Sequence, residues 1–197
     1  GTDFTGSREW TYVVAPVKMS QITKTKDGKV QIGQGTFSVK IEQDKDAAAV
    51  TLATDEAAFI EKLVDAGDIT ADELTRIAGG ASVELLLHIQ KESSLEEESR
   101  TQMQTKATEK GYTMGTCFKT SLTKYMTENG TTDQGTVISG TGKIKLTLQI
   151  PESIQNMNSK KERTYFVLCN KNGNVEVLNG TYDATANTLT FETEDYE

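Results

Sequence analysis

The chain has 197 residues, of which 36% are apolar and 25% charged, enough for one large core or two modest ones built from thin, wet-sided layers. Its net charge is −8, and lysines and arginines are scattered singly. That balance excludes the basic footprint of a nucleic-acid binder, and no run approaches the roughly 20 apolar residues of a membrane-spanning helix.

In chain order, Trp10 to Val17 read as a strand broken by Pro16, an edge strand or lead-in because proline cannot donate to a ladder. Asp27-Gly28 is a hairpin turn that joins the run ending near Thr25 to Lys29–Ile32. Phe37, Val39 and Ile41 alternate with polar residues as in a half-buried strand, and Val50–Ala53 continues the sheet. The period then changes. Phe59, Ile60, Leu63 and Val64 fall at helical spacing, with Thr54 or Asp55 as the cap and Gly67 as the stop. Thr70-Ala71-Asp72-Glu73 is a capping-box pattern opening a second helix, which buries Leu74 and Ile77 and ends at Gly79-Gly80.

Val83, Leu85, Leu87 and Ile89 alternate as a central strand. Residues 94–110 form a polar helix with a thin apolar face. Tyr112–Tyr125 is one long strand or two with a bend. Val137-Ile138 enters a short strand, and Ile144 to Ile150 alternate until Pro151 ends them. Arg163–Cys169, Val175–Leu178 and Thr188–Thr193 read as a three-strand meander, with turns at Asn172-Gly173 and Asp183–Asn187. Ser82–Ser93 and Lys143–Ser153 echo each other, each running alternating aliphatics into a Glu-Ser end.

The expected fold is therefore mainly β, an antiparallel sandwich-like module with two or three short inserted helices, α+β by content. Residues 1–28 form a lead-in or edge-strand segment and residues 29–197 a single β-rich module. The alternative division is two subdomains, 1–92 and 111–197, joined by the helix at 94–110.

Chemistry-bearing residues are few. His88 is the sole histidine, and alternation places it opposite Leu87 and Ile89, toward solvent or a covering helix. Cys117 sits mid-strand between Thr116 and Phe118, without the electropositive pocket that makes a reactive thiolate. With Cys169 it reads either as two separate small hydrophobes or as a disulfide between strands. Glu96-Glu97-Glu98 and Glu192–Glu197 are solvated charge runs, whereas a glycosidase needs two carboxylates about 5–10 Å apart across a cleft. Asp65, Asp68 and Asp72 lack calcium-loop spacing, and Gly33-Gln34-Gly35 is too short to cradle a phosphate. Asn129 and Asn179 match a glycosylation pattern but serve more simply as turn residues. No catalytic, cofactor-binding or metal-binding residues are assigned, and the chain is not expected to be an enzyme.

The second half has a cadence of its own. It runs from Ile69-Thr-Ala-Asp-Glu-Leu and Gly79-Gly-Ala-Ser-Val-Glu-Leu through Gly111-Tyr-Thr-Met-Gly and Ile150-Pro-Glu-Ser-Ile to Arg163-Thr-Tyr-Phe-Val, Asn172-Gly-Asn-Val-Glu-Val and Thr188-Leu-Thr-Phe-Glu-Thr. Over residues 69–197 it resembles an uncharacterised β module near the C-terminus of large secreted or wall-attached proteins of Firmicutes, often behind bacterial immunoglobulin-like or leucine-rich repeats. The 29 threonines fit an exported β protein with a pleated, half-wet surface.

The resemblance implies an extracellular structural or adhesion module that contacts neighbouring domains of its parent, or a host or matrix protein or glycan. It carries no functional residues. Cys117 and Cys169 depart from its pattern, which favours a pairing between them. The alternative function is a carbohydrate-binding accessory module. That would require Trp10, Tyr112, Tyr125, Tyr165, Tyr182 and Tyr196 to converge on one exposed platform.

Overall fold

A computed structural model describes residues 22–24, 30–139, 143–156 and 163–194. The expected strand at Trp10–Val17, the Asp27-Gly28 turn, Trp10 and Tyr196 lie outside the described residues. Within them the strands are β1 (Ile22–Lys24), β2 (Val30–Ile32), β3 (Gly35–Gln43), β4 (Val50–Leu52), β5 (Ser82–Gln90), β6 (Lys119–Glu128), β7 (Thr131–Thr132) and β8 (Thr136–Ile138). They continue as β9 (Ile144–Gln149), β10 (Val167–Lys171), β11 (Asn174–Leu178), β12 (Gly180–Asp183) and β13 (Thr188–Thr193). The helices are α1 (Glu56–Asp65), α2 (Ala71–Ala78) and α3 (Glu97–Glu109). The protein is thus mainly β, with several antiparallel sheets and no closed barrel among the described residues.

The first sheet runs β1-β2-β3-β5-β6-β7, with β8 also on β6, and the second runs β12-β13-β9-β4. The pair β10-β11 stands as a two-stranded sheet of its own. One strand pair departs from the antiparallel rule, and one expectation needs correction. One central pair, β3–β5, is parallel, with Thr36 opposite Ser82 and Gln43 opposite Ile89. A parallel pair needs a long crossover. The chain supplies one: β4 leaves for the second sheet, and α1 and α2 then carry it back to the starting end of β3. The three-strand meander is also divided. The short polar strand β12, not read from sequence, takes the place beside β13 that β11 would have filled, and the other edge of β13 pairs with β9.

The helices form where their end signals predict. Asp55 caps α1, accepting from the backbone N–H of Ala57 at 3.0 Å, and Phe59, Ile60 and Leu63 turn inward. Thr70 and Glu73 close the expected capping box on α2, which buries Leu74 and Ile77. The α3 helix has almost no apolar face. Its Thr101, Thr105 and Thr108 hydroxyls donate back to the carbonyls of Glu97, Thr101 and Gln104, and only Met103 and Ala107 are buried.

One apolar cluster joins both large sheets to α1 and α2, from Val30 and Phe37 through Phe59, Leu87 and Leu122 to Leu146 and Phe191. Each of its fully buried Leu, Ile or Phe side chains contributes about 1.5–3 kcal/mol. Gly35 makes this packing close. A Cβ there would stand 2.0 Å from the Ile77 carbonyl oxygen and 2.1 Å from that of Ala81. The end of α2 therefore lies directly against the β3 backbone. The two echoed segments occupy matching roles: β5 and β9 are both interior strands, and each runs into a 3₁₀ turn, at Glu92–Ser94 and Glu152–Ile154.

Candidate binding cleft

The α3 helix and the β10–β11 hairpin pack together to one side of the main core. Asn170 is the fastener. Its Nδ2 donates to Ser99 Oγ at 3.0 Å and to Gln102 Oε1 at 2.8 Å, and its Oδ1 accepts from Gly173 N–H at 3.0 Å. The hairpin turn itself is Asn172-Gly173, with φ of 48° and 89°, the left-handed pair that a two-residue hairpin requires.

Between this assembly and the second sheet lies a cleft of about 1140 Å³. Leu146, Leu148 and Phe191 of the second sheet line its apolar part, and α3 contributes Met103 and Ala107. Residues 112–118 form a further wall. They run from the end of α3 to the start of β6 without turn, bend or positive φ, so the chain is extended along the cleft. Among the described residues, Thr113–Phe118 make no hydrogen bond through main chain or side chain. Of the expected strand over Tyr112–Tyr125, only the part from Lys119 onward is a strand with a ladder partner.

The aromatic residues divide into two pairs. Tyr112 stacks on Phe166, with ring centroids 4.2 Å apart and planes 8° from parallel, and Phe166 is 48% exposed. Tyr165 and Tyr182 meet at a tilt, 5.0 Å apart, and their hydroxyls are engaged. Tyr165 donates to the Ile154 carbonyl at 2.6 Å, and Tyr182 accepts from Asn156 at 3.2 Å. Burial pushes the Tyr165 phenol up, and neighbouring Tyr182 adds to the rise. Neighbours in an extended stretch point to opposite sides, which is why Tyr165 pins a loop while Phe166 faces out. Tyr125 lies on the first sheet, where Gly135 approaches its ring. Of the six named aromatics, the four that are described form no single platform. Phe166, which was not among them, supplies the exposed ring. Its signal was available in sequence, because it adjoins Tyr165 with the opposite parity.

Cys117 and Cys169 both line the cleft, and neither is in a disulfide. Burial raises the Cys117 pKa, Glu92 raises it further, and Arg100 opposes the rise. That environment favours the thiol over the nucleophilic thiolate. Cys169 Sγ lies 4.0 Å from Thr193 Oγ1.

Of the remaining chemistry-bearing residues, Glu96 and Glu98 at the start of α3 line the cleft, and those that follow lie away from it. His88 is half-buried on the outer face of β5, and its Nε2 lies 2.7 Å from Asp44 Oδ1. The hydrogen bond with His88 holds the Asp44 carboxyl below its ordinary value, helped by the Lys91 N–H. Asp65 ends α1, the Asp68 carbonyl accepts from Lys124, and Asp72 sits in the first turn of α2. Among the described residues no group of three His, Cys, Asp or Glu side chains could hold a metal ion. Gly33-Gln34-Gly35 is the β2–β3 turn, tied down by Gln34 N–H to the Ala78 carbonyl at 3.0 Å.

No protein family, curated protein or solved structure matches the chain.

Proposed function

We propose that this chain is a non-enzymatic interaction module of a bacterial surface protein, and that it docks its partner in the cleft beside α3. The exposed Phe166 ring, held face-on by Tyr112 at the cleft rim, carries this reading. A large aromatic side chain left 48% exposed, backed by a second ring, is the kind of rigid anchor on which binding energy concentrates. Val137, 60% exposed, lines the same cleft and adds a second exposed apolar side chain to it. The extracellular, wall-attached setting rests on the resemblance of residues 69–197 and on the threonine-rich surface.

Within this reading a protein partner is favoured over a glycan. Sugar recognition by the tyrosines would require a shared platform, and Tyr165 and Tyr182 have their hydroxyls committed within the chain.

A screen of the purified chain on arrays of extracellular-matrix proteins and glycans tests the proposal, with Phe166→Ala as the control. The expected result is saturable binding to a protein that weakens about tenfold or more in the variant. A protein ligand held equally well by the variant would move the site elsewhere. A glycan ligand would favour the carbohydrate-binding alternative.

A further inference from the structure

The cleft wall made by Thr113–Phe118 is an unusual feature. The segment has no turn, bend or positive φ, it leads directly into β6, and its main-chain N–H and C=O groups have no partner among the described residues. The cleft it borders, at about 1140 Å³, exceeds the roughly 300–1,000 Å³ typical of small-molecule pockets. A small molecule can satisfy one or two main-chain groups. A row of alternating donors and acceptors at strand spacing is satisfied in series only by another strand.

We infer that the partner docks by strand addition: an extended peptide segment pairs its main chain with Thr113–Phe118. This deepens the docking reading above and rests on it. Side chains of such a peptide alternate in direction. One set faces the apolar lining of Leu146, Leu148 and Phe191, while the other faces outward. The occupant is therefore an extended segment of alternating apolar and polar residues, about as long as the unpaired wall. Main-chain pairing would supply affinity and the apolar lining specificity.

Proline tests this with little cost to the fold, because an N–H without a partner loses no hydrogen bond when it is removed. Successive N–H groups of a strand point to opposite edges, so Thr113→Pro and Met114→Pro remove donors from different sides. Thr113→Ala and Met114→Ala control for the side chains, and thermal melting checks that each variant folds. The probe is a peptide selected from a displayed library of short random sequences against the whole chain. The same peptide N-methylated at alternate residues keeps the test valid if a proline variant fails to fold.

The inference expects one proline variant to weaken binding about tenfold or more while the other does not, and the N-methylated peptide to fail. Amides within Thr113–Phe118 should exchange more slowly when the peptide is bound. A peptide that depends on Phe166 but tolerates both prolines and N-methylation overturns strand addition and leaves the docking cleft standing. A chain that dimerises without peptide, with Thr113–Phe118 protected, overturns a foreign peptide as the occupant. Failure of both this selection and the array screen overturns the inference and the docking reading together.

Discussion

Lys124 occupies a place where the alternation of β6 calls for an apolar side chain, between Leu122 and Met126, and it is only 6% exposed. It is tolerated because Glu73 Oε1 lies 2.8 Å from its Nζ and the Asp68 carbonyl accepts a second bond. Glu73 does two jobs, since the same oxygen accepts the Thr70 N–H of the capping box. Lys124→Ala leaves a carboxylate half-buried without its cation and should cost about 3 kcal/mol in urea unfolding. The double change Lys124→Met with Glu73→Gln should recover part of that loss. Burial alone would raise the Glu73 pKa, but the hydrogen bonds from Lys124 and Thr70 outweigh it and the net shift is downward from 4.5. A depressed carboxyl stabilises the fold fully above that ordinary value, and the contribution is lost as pH falls through the lowered one. Stability should therefore decline below about pH 4.5, and the decline should be shallower in Glu73→Gln, as urea midpoints across that range would show. At the cleft, neither cysteine is in a disulfide. Unreduced protein should titrate both after denaturation, and Cys117 should alkylate more slowly folded than unfolded at neutral pH. A chain that titrates none would instead hold the disulfide.

At the scale of elements, what was legible in sequence was local. Asp55, Thr70-Glu73 and Gly67 mark helix ends through bonds made within a few residues, so α1 and α2 appear where their caps place them. The alternation of Val83 to Ile89 likewise identifies an interior strand from its own residues. Pairing is a different matter. Nothing within Phe37–Ile41 says that β5 will lie parallel to it, because that is decided by the crossover and by the approach of α2 to Gly35. Gly35→Ala tests that approach. The added methyl meets backbone carbonyls on both sides rather than flexible side chains, and the substitution should destabilise by about 3 kcal/mol or more, beside a near-neutral exposed control. The cleft was similarly hidden. Tyr112 and Phe166 are far apart in sequence, and the unpaired stretch before β6 reads like any other strand until its neighbours are known.

At the scale of the whole molecule, a single apolar cluster holds the two large sheets and two helices, while α3 and the β10–β11 hairpin form a shoulder beside it. The cleft between shoulder and core brings together a ring stack and the unpaired segment Thr113–Phe118. Its apolar lining is drawn mainly from the second sheet and α3. The most direct measurement is residue-resolved amide hydrogen exchange on the free, monomeric chain. Rapid exchange is expected through Thr113–Phe118 and slow exchange immediately afterwards, from Thr120 to Met126, where β6 is paired with β5. Equal protection across both stretches would mean that the first half of the strand already has a partner, and would contradict the docking edge.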